Sequence, residues 1–328
     1  MSEAKGLFGE EIREEPLTWG VFPPAPPWRR FDAESRAETP DKAPDKVRGK
    51  CYVTDLDDLN AVNAAITLRR PLLVTGRPGC GKSSLAFAVA HRLNIEREVI
   101  KWPISSRTRV EDGLYTYDAI RRLNDSQMKG PDKVPIEQYL KLGPLGTAIA
   151  ANGPVVLLID EIDKGDIDLP NDLLNVLEEG RFPIRELSSS EERKLSDIEL
   201  PTLRFDDKVK PTDEGEIVCK DFPIVVMTSN DERTFPEAFL RRCICHNVQP
   251  PGMEKLADIV AAHFERSLEG ATRAERAGEA KRIIEEFTKE DGNYLPTDRL
   301  LNAIHLLLNS SLGLTPDEYG KLVDSGRN

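Results

Sequence analysis

Short apolar runs alternate with helical periods through the middle of the chain. The runs are uninterrupted by charge, which is typical of strands buried on both faces. The predicted strands are Leu72-Leu73-Val74, Glu98 to Ile104, Val155 to Ile159 and Phe222 to Thr228. Between the first two, Leu85, Val89 and Leu93 recur every four residues and predict a helix packed on a sheet. This alternation predicts an α/β fold, an αβα sandwich with a mostly parallel sheet.

Helical periods also flank the predicted sheet. Ahead of the first strand, Leu56, Leu59, Val62 and Ile66 predict one apolar helix face, which ends before Pro71. After residue 250 the pattern is helical throughout and predicts a small all-helical lid domain. The predicted domains are therefore an N-terminal tail at 1–48, a nucleotide-binding α/β domain at 49–249 and the helical lid domain at 250–328.

Three segments do not follow this alternation. The tail at 1–48 holds a proline-aromatic tract from Trp19 to Trp28, which fits either a disordered tail or a strap that docks through its aromatic rings. Insertions at 107–132 and 185–220 are long for loops of a compact domain, and such loops are usually functional or inserted. The insertion at 107–132 is rich in tyrosine and fits a partner contact or a packed helical insert.

Composition narrows the class of protein. The 57 acidic and 45 basic residues give a net charge of −12, which argues against a nucleic acid as direct ligand. No apolar run is long enough to span a bilayer and the N-terminus does not open a signal peptide, so we expect a cytoplasmic protein without a membrane partner. Five scattered cysteines suit a reducing compartment, and the spacing of Cys243 and Cys245 favours buried thiols over zinc.

The stretch from Gly76 to Ser83 follows the first predicted strand and precedes a helix, as in a phosphate-binding loop. Its glycines let backbone N–H groups turn toward phosphate oxygens, Lys82 reaches the β- and γ-phosphates, and the Ser83 hydroxyl ligates Mg²⁺. The predicted nucleotide-binding residues are Gly76, Arg77, Pro78, Gly79, Cys80, Gly81, Lys82, Ser83 and Ser84, together with Asp160.

Polar side chains follow two of the other predicted strands. Asp160 and Glu161 end the Val155 strand, where Asp160 would hold Mg²⁺ partly through water and Glu161 would act as general base on the attacking water. Asp163 could assist the metal shell, although it is more often a solvated or salt-bridged neighbour. Asn230 ends the next strand and could hold the attacking water if the two strands are neighbours. These side chains predict a nucleotide hydrolase.

These motifs, in this order, resemble the AAA+ ATPases. The Asp160-Glu161-Ile162-Asp163 strand end, the helix from Leu173 to Gly180 and the stretch from Phe235 to Arg242 are most similar to the MoxR-like and dynein-related branch. The resemblance spans about residues 50 to 320. It implies a P-loop NTPase fold, ATP with Mg²⁺ as cofactors, and ATP hydrolysis.

The same resemblance implies roles for three arginines. Arg241 or Arg242, with Arg242 favoured, corresponds to the finger that reaches the nucleotide of the next subunit, and Arg299 corresponds to the sensor-2 arginine of the lid. It also implies that Tyr52 and Val53 border the adenine. The expected catalytic residues are Lys82, Glu161, Asn230, Arg242, Arg241 and Arg299.

The resemblance implies a homo-oligomeric ring, a hexamer, that acts as a motor or chaperone and remodels a client protein or a von Willebrand factor A-type partner. Two alternatives stay open. One is a GTP-dependent motor of the McrB type that acts with a nuclease on DNA, and the other is a nucleotide-gated assembly scaffold with little turnover.

Overall fold

The computed structural model describes residues 44–130, 134–188, 195, 198–203, 208–264, 284–285 and 296–309 of the 328-residue chain. Most of the predicted N-terminal tail, with its proline-aromatic tract, lies outside these described residues. The chain divides into two compact units. The sheet unit comprises Thr54–Gly76 and Leu85–Val248, and the loop unit comprises Met1–Val53, Arg77–Ser84 and Gln249–Asn328. The domain bounds predicted from the sequence stay a prediction.

Strands and helices alternate along the described residues. The strands are β1 Leu72–Thr75, β2 Ile100–Pro103, β3 Tyr115–Tyr117, β4 Leu140–Leu142, β5 Val156–Asp160, β6 Arg181–Pro183, β7 Leu200–Pro201, β8 Lys208–Val209, β9 Glu216–Val218, β10 Ile224–Thr228 and β11 Ile244–Asn247. The helices are α1 Pro44–Lys50, α2 Leu56–Leu68, α3 Lys82–Arg92, α4 Val110–Leu114, α5 Ala119–Lys129, α6 Pro144–Ala150, α7 Leu169–Glu179, α8 Arg185–Ser188, α9 Glu237–Leu240, α10 Met253–His263 and α11 Thr297–Asn309.

Five parallel strands form the main sheet in the order β11-β1-β10-β5-β2. Leu73 of β1 pairs with Met227 of β10, and Met227 pairs with Ile159 of β5. Consecutive residues of β5 from Val156 to Ile159 are all buried. Because neighbouring side chains of a strand point to opposite faces, both faces of the sheet are covered. The predicted α/β fold with a parallel sheet is confirmed.

Strand β11 was not predicted from the sequence. It lies at one edge of the sheet, where Cys245 is exposed and His246 is buried, so its residues alternate instead of forming an apolar run. The neighbouring Cys243 is buried, and this burial raises the pKa of its thiol to about 12. An edge strand with one covered face carries too little apolar character to stand out in a sequence.

Helix α2 forms where the apolar period predicts it, but a different face is buried. Leu56 and Leu59 are exposed, whereas Asp58 and Ala65 are buried. The Asp58 carboxylate is tolerated because it accepts the Asp55 N–H at 3.1 Å as part of a capping box and contacts His246 Nε2 at 2.7 Å. The spacing of apolar residues along a helix does not indicate which polar residue will be buried by contacts with distant partners.

The first insertion contributes β3 and α5, and β3 pairs antiparallel with β4, which follows the insertion in the chain. The polar side of α5 faces this strand pair, because Arg122 donates to the Tyr117 hydroxyl at 3.0 Å and Asp125 accepts from the Tyr139 hydroxyl at 2.7 Å. This Tyr139 contact and the ion pair with Lys129 lower the pKa of Asp125. The large apolar side chains of α5 are exposed; they are Ile120, Leu123 and Met128. Polar contacts attach this helix to the strand pair.

The described part of the second insertion packs into the core of the sheet unit. Strands β6 and β9 pair antiparallel, and β7 pairs with β8. Buried apolar residues of this segment join the main core; they are Leu187, Ile198, Leu200 and Ile217. The segment is therefore an elaboration of the fold and not an unstructured loop in its described part.

The two described helices after residue 250 share a small apolar core. Leu256 and Val260 of α10 pack with Leu300 and Ile304 of α11, and Ile284 completes the cluster. This agrees with the helical character predicted after residue 250. None of the helices described in either unit has the length and apolar character needed to cross a bilayer.

Candidate functional site

The predicted phosphate-binding loop lies between β1 and α3, and α3 begins at Lys82. Gly79 and Gly81 have φ angles of 78° and 95°, which L side chains rarely adopt, so these two positions require glycine. Lys82 is buried, and its Nζ donates a hydrogen bond to the Arg77 carbonyl at 3.0 Å. In this structure the Lys82 side chain is therefore bound by the backbone of its own loop.

Two segments of the loop unit pack directly against this loop. The N–H of Thr297, at the start of α11, donates to the Gly79 carbonyl at 3.2 Å, and a Cβ added at Gly79 would lie 2.6 Å from Pro296 Cβ. Arg299, the predicted sensor-2 arginine, is on the first turn of the same helix. Tyr52 also lies close to the loop, because its Cε2 would be 3.4 Å from a Cβ added at Gly81.

Cys80, within the same loop, is a buried thiol. Burial raises its pKa, while the positive charge of nearby Lys82 opposes that shift. We therefore expect an unreactive thiol at neutral pH, because the thiolate is the nucleophilic form. We expect Cys80 to serve the loop through its backbone.

The strand-end carboxylates belong to the sheet unit and are tied to β10. The Thr228 hydroxyl donates to Asp160 Oδ1 at 2.6 Å and accepts the Glu161 N–H at 2.9 Å. Glu161 itself has a left-handed backbone, with φ 60° and ψ 51°, at the end of β5. One buried hydroxyl thus orients both residues that the sequence assigned to metal binding and to base catalysis.

The Glu161 side chain forms an ion pair. Its Oε2 lies 2.7 Å from Lys164 Nζ, and both side chains are a little under half exposed. The hydrogen bond that Lys164 donates to the Glu161 carboxylate raises the pKa of Lys164, and desolvation opposes this shift. Lys164 was not identified from the sequence, because a lysine three residues after a strand is common on protein surfaces.

Asn230 follows β10, which lies directly beside β5, so the two strands are neighbours, as a role for Asn230 beside Asp160 requires. The Ser229 N–H donates to the Val74 carbonyl at 3.0 Å, which ties this turn to β1 as well. The Asn230 N–H donates to Asp163 Oδ2 at 2.8 Å. Asp163 is almost completely buried, so it is neither solvated nor part of a surface salt bridge.

The two candidate finger arginines form different ion pairs. Arg241 is highly exposed and pairs with Glu237 at 2.9 Å within one helical turn. Arg242 is about half exposed and pairs with Glu178 of α7 at 2.7 Å. Ion pairs at this exposure contribute little to stability, so either guanidinium can be redirected at small cost.

The oxygen donors fit magnesium. Within the described residues, no group of three or more His, Cys, Asp or Glu side chains could hold an ion alone. Ser83 and Asp160 offer a hydroxyl and a carboxylate oxygen, and Mg²⁺ is typically bound through one or two such protein ligands while phosphates and water complete its shell. Taken separately, the Ser83 hydroxyl of the loop unit and the Asp160 carboxylate of the sheet unit are ligand types that suit Mg²⁺, and their joint action on one ion stays a prediction.

A glycine-rich loop follows β1, and the acidic residues Asp160 and Glu161 stand at the end of β5. These two motifs together define a P-loop nucleotide hydrolase. The family described as AAA domain (dynein-related subfamily) matches residues 71–243, which is more than half of the chain. The chain belongs to this family and is an ATPase.

Solved structures similar to the chain include Hsp104 in its closed state with ATPγS and FITC casein, and domain III of the replication initiation protein DnaA from Thermotoga maritima. For Hsp104 the identity is 18% and the TM-score 0.44, over 80% of this chain and 46% of that chain. For DnaA the identity is 15% and the TM-score 0.41, over 88% and 97%. The chain thus spans about half the length of the Hsp104 chain. No curated protein matches the sequence.

Proposed function

We propose that this protein hydrolyses ATP at the subunit interfaces of a homo-oligomeric ring, a hexamer, and uses the cycle to remodel a partner protein as a MoxR-like motor or chaperone. The order of the central strands gives the strongest support. Strand β1, which leads into the phosphate-binding loop, is next to β10, which ends before Asn230, and β10 is next to β5, which ends in Asp160. Parallel strands bring their carboxyl ends to one edge of the sheet, where open α/β folds bind ligands.

Lys82 and Ser83 are the proposed phosphate and metal contacts of the loop. Lys82 Nζ would exchange its bond to the Arg77 carbonyl for a phosphate oxygen. Ser83 and Asp160 would hold Mg²⁺, which neutralises charge on the β- and γ-phosphates when it is bound. The Thr228 hydroxyl, by donating to Asp160 Oδ1, would keep that carboxylate in one orientation.

Glu161 and Asn230 are the proposed water-activating pair. Glu161 Oε2 would take a proton from the attacking water, and the Asn230 side chain would hold that water for in-line attack on the γ-phosphate. For this the Glu161 carboxylate would have to leave Lys164, a contact between two partly exposed groups that costs little to break. Arg299 would contact the γ-phosphate from its own chain.

Arg242, or Arg241 in its place, would reach the nucleotide of the neighbouring subunit and neutralise charge in the transition state. Both side chains lie near the end of α9 and are accessible. A finger supplied by another subunit makes each site incomplete in a monomer. We further propose that the remodelled partner is a client protein or a von Willebrand factor A-type protein.

The test measures ATP and GTP turnover per chain as a function of protein concentration, together with particle mass with and without nucleotide. Specific activity is expected to rise with concentration and to follow the appearance of a ring, because the finger arrives from another subunit. Activity per chain that stays constant while the protein remains monomeric with ATP bound would exclude the ring. Faster turnover of GTP than ATP would instead support the McrB-type alternative.

A further inference from the structure

Asp163 has no role in the steps above, yet it is among the most buried charged groups of the sheet unit, with 3% of its surface exposed. It lies in the 3₁₀ turn Ile162–Lys164, two residues after the proposed base. Burial of a carboxylate costs free energy unless hydrogen bonds compensate it. The hydrogen bonds that Asp163 makes therefore indicate what the residue is for.

Two backbone N–H groups of a single turn donate to Asp163. Its Oδ2 accepts from Asn230 at 2.8 Å and from Glu232 at 3.3 Å. The residue between them, Asp231, has a left-handed backbone with φ 59°. Alternating right- and left-handed residues aim their N–H groups at one point and form a concavity that binds anions. Here the Asp163 carboxylate occupies that concavity.

A second contact joins the same two turns in the opposite direction. Arg233, just after the Asn230 turn, donates from Nη1 to the Gly165 carbonyl at 2.8 Å, and Gly165 follows the turn that holds Asp163. The segment after β5 and the segment after β10 are thus connected twice. Strand pairing fixes these segments only up to Met227 and Ile159.

We propose that Asp163, assisted by Arg233, is a positioning residue that holds Asn230 at a fixed place relative to Glu161. The Asn230 amide and the Glu161 carboxylate can then contact the same water molecule. This inference rests on the proposed function of Glu161 and Asn230. In this role Asp163 acts through the backbone of the Asn230 turn. Charged acceptors form stronger bonds with backbone N–H groups than neutral ones, which is why a carboxylate suits this place.

The first test compares Asp163→Ala with Asp163→Asn in the full chain. The alanine variant loses the acceptor, and a displacement of the turn by about 1 Å would lower kcat by about 10- to 100-fold. KM for ATP should stay within about twofold, because positioning for the chemical step differs from ground-state binding. The asparagine variant keeps an oxygen that can accept both N–H groups and should recover most of the activity. Asp166→Ala, which removes an exposed carboxylate three residues away, is the matched control.

The second test asks whether Asp163 acts through Asn230. In an Asn230→Ala background, the added Asp163→Ala change should lower kcat by less than about threefold, because residues that act as one unit are not additive. If the two losses multiply instead, the positioning role is wrong. It is also wrong if Asp163→Ala leaves kcat within twofold of the parent, or if it raises KM as much as it lowers kcat.

Arg233→Ala keeps the proposal testable if Asp163→Ala does not fold, because Arg233 is exposed and its removal leaves no buried charge. It should lower kcat by about three- to tenfold with unchanged KM, a smaller loss since the Asp163 bonds remain. An unchanged kcat would then overturn the proposal. Turnover by the unmutated protein distinguishes failure of the proposed function from failure of the positioning role. If the unmutated protein does not hydrolyse ATP, the proposed site is refuted. If it and the variants all hydrolyse ATP at the same rate, only the positioning role is refuted.

Discussion

The hydroxyl of Thr228 donates a hydrogen bond to Asp160 Oδ1 at 2.6 Å, and it accepts the N–H of Glu161 at 2.9 Å. Thr228 is almost completely buried, so no water can replace it readily. One side chain on β10 therefore orients Asp160 at the end of β5 and Glu161 directly after it. The strand pairing that builds the sheet also positions the residues proposed to bind the metal and to act as base.

Thr228→Val should remove this connection while keeping the side-chain shape. We expect the free energy of unfolding to fall by about 1 to 3 kcal/mol, because a buried donor and acceptor lose their partner. Loss of orientation at Asp160 and Glu161 should lower kcat about tenfold or more. Urea unfolding and steady-state ATP turnover check the two effects. Thr228→Ser, which keeps the hydroxyl, is the control; a serine variant as impaired as the valine variant would contradict the argument.

Glu161→Gln should separate nucleotide binding from hydrolysis. The amide cannot accept the proton of the attacking water, so turnover should fall by about 100- to 10,000-fold. ATP should still bind, because the phosphate contacts belong to the loop. Single-turnover hydrolysis and binding of a fluorescent ATP analogue measure the two properties. A turnover rate equal to that of the parent would remove Glu161 from the mechanism.

Lys164→Met should release the Glu161 carboxylate from its ion pair. Because both side chains are partly exposed, the pair is weak, and we expect kcat to rise by only about two- to fivefold. The raised pKa of Lys164 keeps the lysine charged until the pH exceeds its ordinary value of 10.5. The effect should therefore be constant between about pH 6.5 and 9.

Lys129→Met is the matched control for that substitution, because Lys129 forms a comparable surface ion pair with Asp125 away from the site. Its turnover should equal that of the parent. A fall of more than tenfold in the Lys164 variant would show that the lysine is needed for the reaction itself.

Arg242→Ala should lose most of its turnover, since removal of an arginine finger costs about 1,000-fold or more in related phosphoryl transfer. Mixing it with Glu161→Gln provides a sharper measurement. The Arg242 variant has an intact base and the Glu161 variant an intact finger, so mixed rings should regain activity that neither variant has alone. No recovery on mixing would mean that Arg242 does not act on a neighbouring subunit. Arg241→Ala, measured in the same way, is expected to retain more turnover.

Gly79→Ala should weaken both stability and nucleotide binding. The left-handed backbone alone costs about 1 to 2 kcal/mol for a residue with Cβ. The new Cβ would also meet Pro296 Cβ at 2.6 Å and Asp298 Oδ1 at 2.8 Å. Gly153→Ala is the control, because Gly153 has φ 97° but open space around it. Equal losses of unfolding free energy in the two variants would show that packing against Pro296 contributes nothing.

The sequence was sufficient for the strands that carry the site. Apolar runs such as Val155 to Ile159 are buried on both faces, and burial on both faces is what produces an uninterrupted run. The loop glycines were also predictable, since a left-handed backbone at Gly79 and Gly81 restricts the residue type at those positions. Local requirements of this kind leave a direct trace in the sequence.

Contacts between segments that are distant in the chain could not be predicted from the sequence. Asp163 and Asn230 are 67 positions apart, and nothing in either neighbourhood indicates that one accepts from the other. The buried face of α2 was assigned wrongly for the same reason, because Asp58 is buried through a contact with His246. Strand β11 was missed since an edge strand alternates in burial. These features depend on tertiary partners, and a single sequence does not specify them.

The hydrogen bond from the Thr297 N–H to the Gly79 carbonyl places one exchangeable proton between the loop backbone and the first turn of α11. An amide proton in such a bond exchanges with solvent only when the bond opens. Deuterium uptake at Thr297 therefore measures how often the loop separates from that helix. A nucleotide that tightens the loop would slow the uptake. The rate of deuterium uptake at the Thr297 amide would then report how much of the protein has nucleotide bound.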